Sequence, residues 1–127
     1  MQTVLAILIG YLLGSVSPAF IFGKILKGID IRQHGTKNAG ATNTKHLLGI
    51  GPAAVTAIYD LAKGLLAIYI ASALGLPAIW SYFAGFAAIV GHIFPFYLGF
   101  RGGQGTATAV GLLFYFAIKL GLSGAIS

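Results

Sequence analysis

Two short segments of this sequence combine glycine with cations and small polar side chains. The first runs from His34 to His46 and contains asparagines, glycines and lysines. The second runs from Arg101 to Thr106, is rich in glycine, and leads directly into an apolar stretch. Glycine lets backbone N–H groups converge on an anion, and the start of a helix adds a partial positive charge. Both segments therefore predict anion binding, with phosphate as the typical ligand.

Other chemistries are poorly supported by the same residues. Gly35 and Gly40 have the spacing of a nucleotide-binding P-loop, but Ala41 stands where that loop requires lysine. The chain has no cysteine, and its two acidic residues are both aspartate. The histidines and aspartates lack the spacing of metal ligands. We therefore predict neither a nucleotide P-loop, nor a metal site, nor a cofactor.

Three polar side chains interrupt the apolar segments: Asp60, Lys63 and His92. A charged side chain at mid-membrane depth costs roughly 2.5–3.5 kcal/mol on insertion scales, so such residues face the bundle interior or a polar cavity. Asp60 and Lys63 are spaced to pair on one helix face, and a role in a site is the other interpretation. His92 fits either a buried hydrogen-bonding residue or a catalytic one.

Composition defines the elements that must position these residues. Of the 127 residues, 57% are hydrophobic and 8% are charged, whereas a soluble domain carries about 25% charged residues. A soluble or disordered chain is thereby excluded. We predict an all-α, polytopic helical membrane protein with about four transmembrane helices in a single membrane domain, 1–127. The predicted spans are 3–23, 53–74, 78–98 and 106–123.

The distribution of charge orients the predicted spans. The loops at 24–52 and 99–105 carry most of the lysine and arginine, whereas the amino terminus and the 75–77 turn carry none. By the positive-inside rule, the N-terminus is expected outside and both basic loops in the cytoplasm. Gly10 and Gly14 are spaced to give the first span a smooth face for close helix packing.

A series of motifs in order along the chain resembles the bacterial acyl-phosphate:glycerol-3-phosphate acyltransferases. After Gly14-Ser15, the motifs are Lys24-x-x-Lys-Gly-x-Asp-x-Arg32, Asn38-Ala-Gly-Ala-Thr-Asn43, Asp60-x-x-Lys-Gly64, Gly91-His-x-Phe-Pro95 and Phe100-Arg-Gly-Gly-x-Gly-x-Ala-Thr108. The resemblance implies an enzyme of phospholipid synthesis in the bacterial inner (plasma) membrane, with its active face cytoplasmic. It would move a fatty acyl group from acyl phosphate to the 1-hydroxyl of glycerol 3-phosphate, giving lysophosphatidate.

The resemblance also implies roles for individual residues. Asn43 and His92 would be catalytic, and Asp60 would shape the pocket. The residues expected to bind substrate phosphate are Arg32, Thr36, Asn38, Gly40, His46, Lys63, Arg101, Gly102, Gly103, Gln104, Gly105 and Thr106. Because the donor is a mixed anhydride, no serine nucleophile is required. Catalysis would rest on positioning and on charge stabilisation at the leaving phosphate.

The chain departs from the family pattern at Thr36, His46 and Gln104, where serine, arginine and lysine are usual. The last two changes each remove a fixed positive charge, so weaker phosphate binding is expected. Family members continue beyond the point where this chain ends, so the chain is expected to be short at the C-terminus. Expected partners are both substrates, membrane lipid, and a homo-oligomer or a missing C-terminal half, with no nucleic acid.

Two alternatives from other classes stay open. A small four-span channel or anion carrier would use Asp60, Lys63 and His92 to line a pore. A non-catalytic membrane paralogue would use its altered loops to bind lipid phosphates or another subunit. The strong inside-positive bias favours the enzyme over a channel that assembles in both orientations.

Overall fold

The computed structural model describes the backbone of residues 1–126 and the side chains of residues 1–121. Every regular element in that part of the chain is helical, which confirms the all-α class. The α-helices are α1 (Gln2–Ser15), α2 (Pro18–Phe22), α3 (Ala41–Leu48), α4 (Ile50–Ala73), α5 (Ala78–Ile93) and α6 (Thr106–Ile126). A π-helical turn at Gly23–Lys27 and 3-10 turns at Ile31–Gln33 and Phe96–Leu98 lie between them.

Three helical segments are long and apolar enough to cross a membrane: Gln2–Lys27, Ile50–Ala73 and Ala78–Leu98. The fourth predicted span corresponds to a shorter apolar stretch, Thr106–Gly121. Large hydrophobic side chains are exposed along all of these helices. Such a surface is unsuited to water and suits contact with lipid tails, so the fold is that of a helical membrane protein.

The first apolar segment, predicted as the span 3–23, is divided into two helices. Helix α1 ends at Ser15, and α2 begins at Pro18. Proline has no N–H and its ring clashes with the preceding turn, so it ends a helix or begins a new one. Ser17 is extended and caps α2, because its Oγ accepts the Phe20 N–H at 3.3 Å.

The interruption leaves backbone carbonyls without helical partners, and tyrosines from other elements satisfy them. The Tyr59 hydroxyl donates to the Leu13 carbonyl at 2.7 Å, and the Tyr97 hydroxyl donates to the Ser15 carbonyl at 2.6 Å. Unsatisfied carbonyls are costly where no water is available. The Val16 carbonyl, at the same break, accepts a hydrogen bond from the Lys63 ammonium instead.

Close approach of α1 and α5 depends on glycine, as the spacing of Gly10 and Gly14 predicts. A Cβ on Gly10 would overlap the carbonyl of Ala84, and one on Gly14 would overlap that of Ala88. In the other direction, Gly91 of α5 lies against backbone of α1. Small residues at such a contact let helix backbones approach and gain dispersion contacts in lipid.

The polar segment predicted as the loop 24–52 is partly helical. It contains α3, whose side chains Asn43 and Thr44 are buried, and α4 begins at Ile50 rather than at Ala53. Gly49 separates α3 from α4 with φ of 98°, a conformation that favours glycine. The polar segment 24–52 is therefore structured in part and is not an irregular loop throughout.

Candidate functional site

A cavity of about 310 Å³ lies where the two glycine segments meet Asp60 of α4, the end of α5 at His92 and the start of α6. It is lined by Asn38, Gly40, Ala41, Thr42, Asp60, His92, Gln104, Gly105, Thr106 and Ala107. Segments distant in sequence therefore converge on one polar space. Predicted site residues among the lining are Asn38, Gly40, Asp60, His92, Gln104, Gly105 and Thr106.

The Asn43 side chain holds the backbone of the first glycine segment through hydrogen bonds. Its Nδ2 donates to the carbonyls of Ile31, His34 and Asn38 at 3.0–3.1 Å, and its Oδ1 accepts the Thr36 N–H at 3.0 Å. The side chain is fully buried and is not part of the cavity lining. The structure therefore gives Asn43 a positioning contact with the loop that carries Asn38, where a catalytic contact had been expected.

The second segment offers fewer free amides than its glycines predict. The Gly102 N–H donates to the carbonyl of Ile93 at 2.8 Å, and the Gly103 N–H donates to that of His92 at 3.1 Å. These amides hold the loop against the end of α5 and are already engaged. Neither glycine lines the cavity.

The N-terminus of α6 supplies amides that remain available. The helix begins at Thr106, and its first turn borders the cavity through Thr106 and Ala107. The first N–H groups of a helix have no acceptor within the helix, and the helix dipole favours an anion there. Anion binding at the second loop is therefore best supported at 104–107.

Arg32 joins the two loops and lies outside the cavity lining. Its Nη1 donates to the carbonyls of Leu98 and Arg101 at 2.7 and 2.6 Å, while Nη2 pairs with the Asp30 carboxylate at 2.7 Å. The guanidinium also lies 5.2 Å from the centre of the Phe20 ring, within range of a cation–π contact. Arg32 was predicted to bind phosphate, but in the structure its donors bind the Asp30 carboxylate and the carbonyls of Leu98 and Arg101.

From the Asp30–Arg32 ion pair we predict how the stability of the fold depends on pH. The hydrogen bond from Arg32 holds the pKa of the Asp30 carboxyl below its ordinary value of 3.8. Because the folded pKa lies below the unfolded one, the pair stabilises the fold fully at pH values above that ordinary value and loses this contribution as pH falls through the folded pKa. Asp30→Asn should lower the free energy of unfolding by about 1.5–3 kcal/mol at pH 6. Thermal unfolding at pH 6 and pH 3 should show the difference from wild type shrinking in acid; an equal difference at both would contradict it.

Beneath the cavity, Asp60, Lys63 and His92 form one buried network. The Lys63 Nζ lies 3.0 Å from the Asp60 Oδ1, 2.6 Å from the His92 Nδ1 and 3.4 Å from the Val16 carbonyl oxygen. The pairing of Asp60 with Lys63 expected from their spacing is thus present. Lys63 has no exposed surface and does not line the cavity, so the expected direct contact between Lys63 and phosphate is absent from this arrangement.

Three other predicted phosphate-binding residues are exposed and outside the cavity lining: Thr36, His46 and Arg101.

The sequence analysis missed the hydrogen bond that the Val16 carbonyl accepts from Lys63. A backbone carbonyl carries no signal in residue type. The signal available was Pro18 inside an apolar run, which marks an interrupted helix.

The fold and the cavity define a multi-pass membrane protein with a polar site at the loop end of an apolar helix bundle. The sequence profile described as "Glycerol-3-phosphate acyltransferase" matches residues 4–127. The chain belongs to the glycerol-3-phosphate acyltransferase family.

Individual relatives agree with this assignment. A glycerol-3-phosphate acyltransferase of Shouchella clausii is 48% identical, over 95% of this chain and 62% of its own length. One from Halalkalibacterium halodurans is 51% identical, over 81% of this chain and 51% of its own length. The chain thus spans about half to three fifths of the length of these curated relatives.

Two solved structures share the fold. A crystal structure of PlsY (YgiH), an integral membrane glycerol 3-phosphate acyltransferase in its glycerol 3-phosphate form, is 34% identical with a TM-score of 0.77. It matches over 96% of this chain and 66% of that one. The lysophosphatidic acid form is 32% identical with a TM-score of 0.76, over 99% of this chain and 62% of that one.

Proposed function

We propose that this chain takes part in transfer of a fatty acyl group from acyl phosphate to the 1-hydroxyl of glycerol 3-phosphate. In that reaction the acyl C–O bond to phosphate breaks and an ester bond forms. The hydroxyl proton leaves with the released phosphate, and the other product is lysophosphatidate. The names of the relatives support the acceptor and the product, and the resemblance of the motifs supports acyl phosphate as the donor.

The observation that carries this proposal is the convergence of the two glycine segments on one cavity. The amide-bearing start of α6 and the polar side chains of Asn38, Gln104 and Thr106 all border this space. These groups suit phosphate oxygens, and both proposed substrates carry phosphate. The acyl donor is already activated, so the site has to hold the two substrates together and stabilise charge on the leaving phosphate.

We place the cavity at the cytoplasmic face of the bacterial inner membrane, with the N-terminus outside. The support is the charge distribution, since cytoplasmic loops are enriched in lysine and arginine. The cations within the basic loops 24–52 and 99–105 are Lys24, Lys27, Arg32, Lys37, Lys45 and Arg101. Because the two substrates are anions, the same cations also favour their approach.

The test is acyl transfer by the purified full chain in lipid nanodiscs. Acyl phosphate and labelled glycerol 3-phosphate are supplied, and lysophosphatidate is measured against protein-free nanodiscs. We expect formation proportional to protein concentration. No product above the blank at any protein level would overturn the proposal that this chain is a competent catalyst. In that case, anion flux through vesicles containing the chain would favour the carrier alternative.

Gln104 provides a gain-of-function prediction. Gln104→Lys places an ammonium at the cavity wall, and a charge-assisted hydrogen bond contributes about 1.5–3 kcal/mol against about 0.5–1.5 for a neutral one. The difference corresponds to roughly tenfold tighter binding of glycerol 3-phosphate. Isothermal titration checks it, with Gln33→Lys as the control because Gln33 is exposed and does not line the cavity. Equal affinity in Gln104→Lys and wild type would remove Gln104 from the phosphate site.

A further inference from the structure

The Lys63 ammonium uses all of its protons inside the protein. It has three N–H groups and no acceptor site, and three acceptors surround it: the Val16 carbonyl, the Asp60 carboxylate and the His92 ring. It therefore has no donor left for a ligand, which agrees with its complete burial.

Two of these acceptors favour the charged form of Lys63. The Asp60 carboxylate provides a full negative charge at 3.0 Å. The Val16 carbonyl lies just past the end of α1, where the helix dipole contributes a partial negative charge. Interrupted membrane helices commonly direct such carbonyls at cations. The break before Pro18 thus helps to keep an ammonium inside the bundle.

An ammonium at 2.6 Å from the His92 Nδ1 decides where the imidazole proton sits. An ammonium can only donate, so Nδ1 must accept and a neutral ring must carry its proton on Nε2. The other ring nitrogen, Nε2, lies close to Gly103. His92 is itself part of the cavity lining.

We infer that Lys63 is a positioning residue that holds His92 as the Nε2–H tautomer, so that the imidazole presents a hydrogen-bond donor to an anionic ligand in the cavity. Asp60, Lys63 and His92 then form a buried network with no net charge. The identity of the ligand as a phosphate ester rests on the proposed function, whereas the tautomer does not. Lys63 acts on the ligand only through His92.

The tautomer can be read directly by ¹⁵N NMR of ring-labelled histidine in the lipid-embedded chain. His92→Gln identifies the His92 signals among those of the three histidines. We expect a protonated Nε2 and an unprotonated Nδ1 in the wild type at neutral pH. A protonated Nδ1 or an imidazolium in the wild type would overturn the inference, whatever the variants do.

Variants of Lys63 test whether it sets the tautomer. In the structure, Nδ1 lies 3.7 Å from the Asp60 Oδ1, and Lys63→Met removes the ammonium between them. The ring should then move its proton to Nδ1 and donate to Asp60, whereas Lys63→Arg, which keeps a cationic donor, should retain Nε2–H. Retention of a pure Nε2–H signal in a folded Lys63→Met protein would overturn the inference.

Adding glycerol 3-phosphate to the labelled wild type separates this inference from the proposed function. A shift of the Nε2 signal with ligand concentration supports a donor role toward the substrate. An Nε2–H tautomer that does not respond to glycerol 3-phosphate would contradict the donor role in the inference. It would leave the acyl-transfer assay as the measure of the proposed function.

Discussion

Asp60→Leu is expected to lower the free energy of unfolding by about 3–5 kcal/mol, because it leaves the Lys63 ammonium buried without its carboxylate. Lys63 has no exposed surface, and Asp60 is 2% exposed. Leucine takes the position of the carboxylate, and the Lys63 ammonium has no exposed surface through which water could replace it. Unfolding in mixed micelles, followed by fluorescence of Trp80, the single tryptophan, provides the measurement.

The double variant Asp60→Leu/Lys63→Met is the matched control. It removes both charges, and neutral apolar replacements of a buried ion pair are often close to neutral in stability. We expect most of the lost free energy to return, with a coupling energy well above the error of the measurement. If Asp60→Leu alone costs less than about 1 kcal/mol, or if the double variant is no more stable, the pair is not the buried unit described here.

Gly103→Ala is expected to reduce turnover by about 10²–10³-fold, the loss typical of removing one preorganised donor from an active site. The structural reason is steric. A Cβ at position 103 would overlap the His92 Nε2 and crowd the carbonyl of Ala39. Either the ring must turn away or the two loops must separate, and both changes remove the donor from the cavity. The acyl-transfer assay in nanodiscs measures the effect.

Gly51→Ala is the control for the glycine substitution. Gly51 lies in α4, and a Cβ there would have no neighbour within 4 Å. Alanine favours a helix over glycine by about 1 kcal/mol, so this variant should be as stable as wild type or more so and equally active. Tryptophan fluorescence should show Gly103→Ala folded under assay conditions. A folded Gly103→Ala protein with wild-type turnover would exclude the proposed donor role of His92.

Much of the fold followed from local properties of the sequence. The apolar runs predicted the membrane helices, and Gly10 and Gly14 predicted close packing of the first span. Only the structure shows that its partner is α5. The helices differ in extent from the predicted spans, because α4 begins at Ile50 and Pro18 divides the first segment. The order within 24–52 was also missed, since a short polar helix such as α3 depends on the helices beneath it more than on its own residues.

For the candidate site, the sequence indicated which segments come together but not the contacts that their residues make. Both glycine segments do border one cavity, and His92 and Asp60 are at its wall. The amides of Gly102 and Gly103 are instead bonded to the end of α5. Residue type shows that an N–H can be free, but which acceptor reaches it depends on what packs against the loop.

The sequence by itself determined the class of this protein. Too few charges for a soluble surface, apolar runs of membrane length and glycine beside cations are local facts. The first two required helices in a membrane, and the third predicted an anion site at their basic ends. Only the tertiary structure decided that Arg32 and Lys63 face protein acceptors and that the interrupted first helix turns a carbonyl toward Lys63. The physical reason is that a charge removed from water must find its partners inside the fold. Those partners come from segments far apart in the chain.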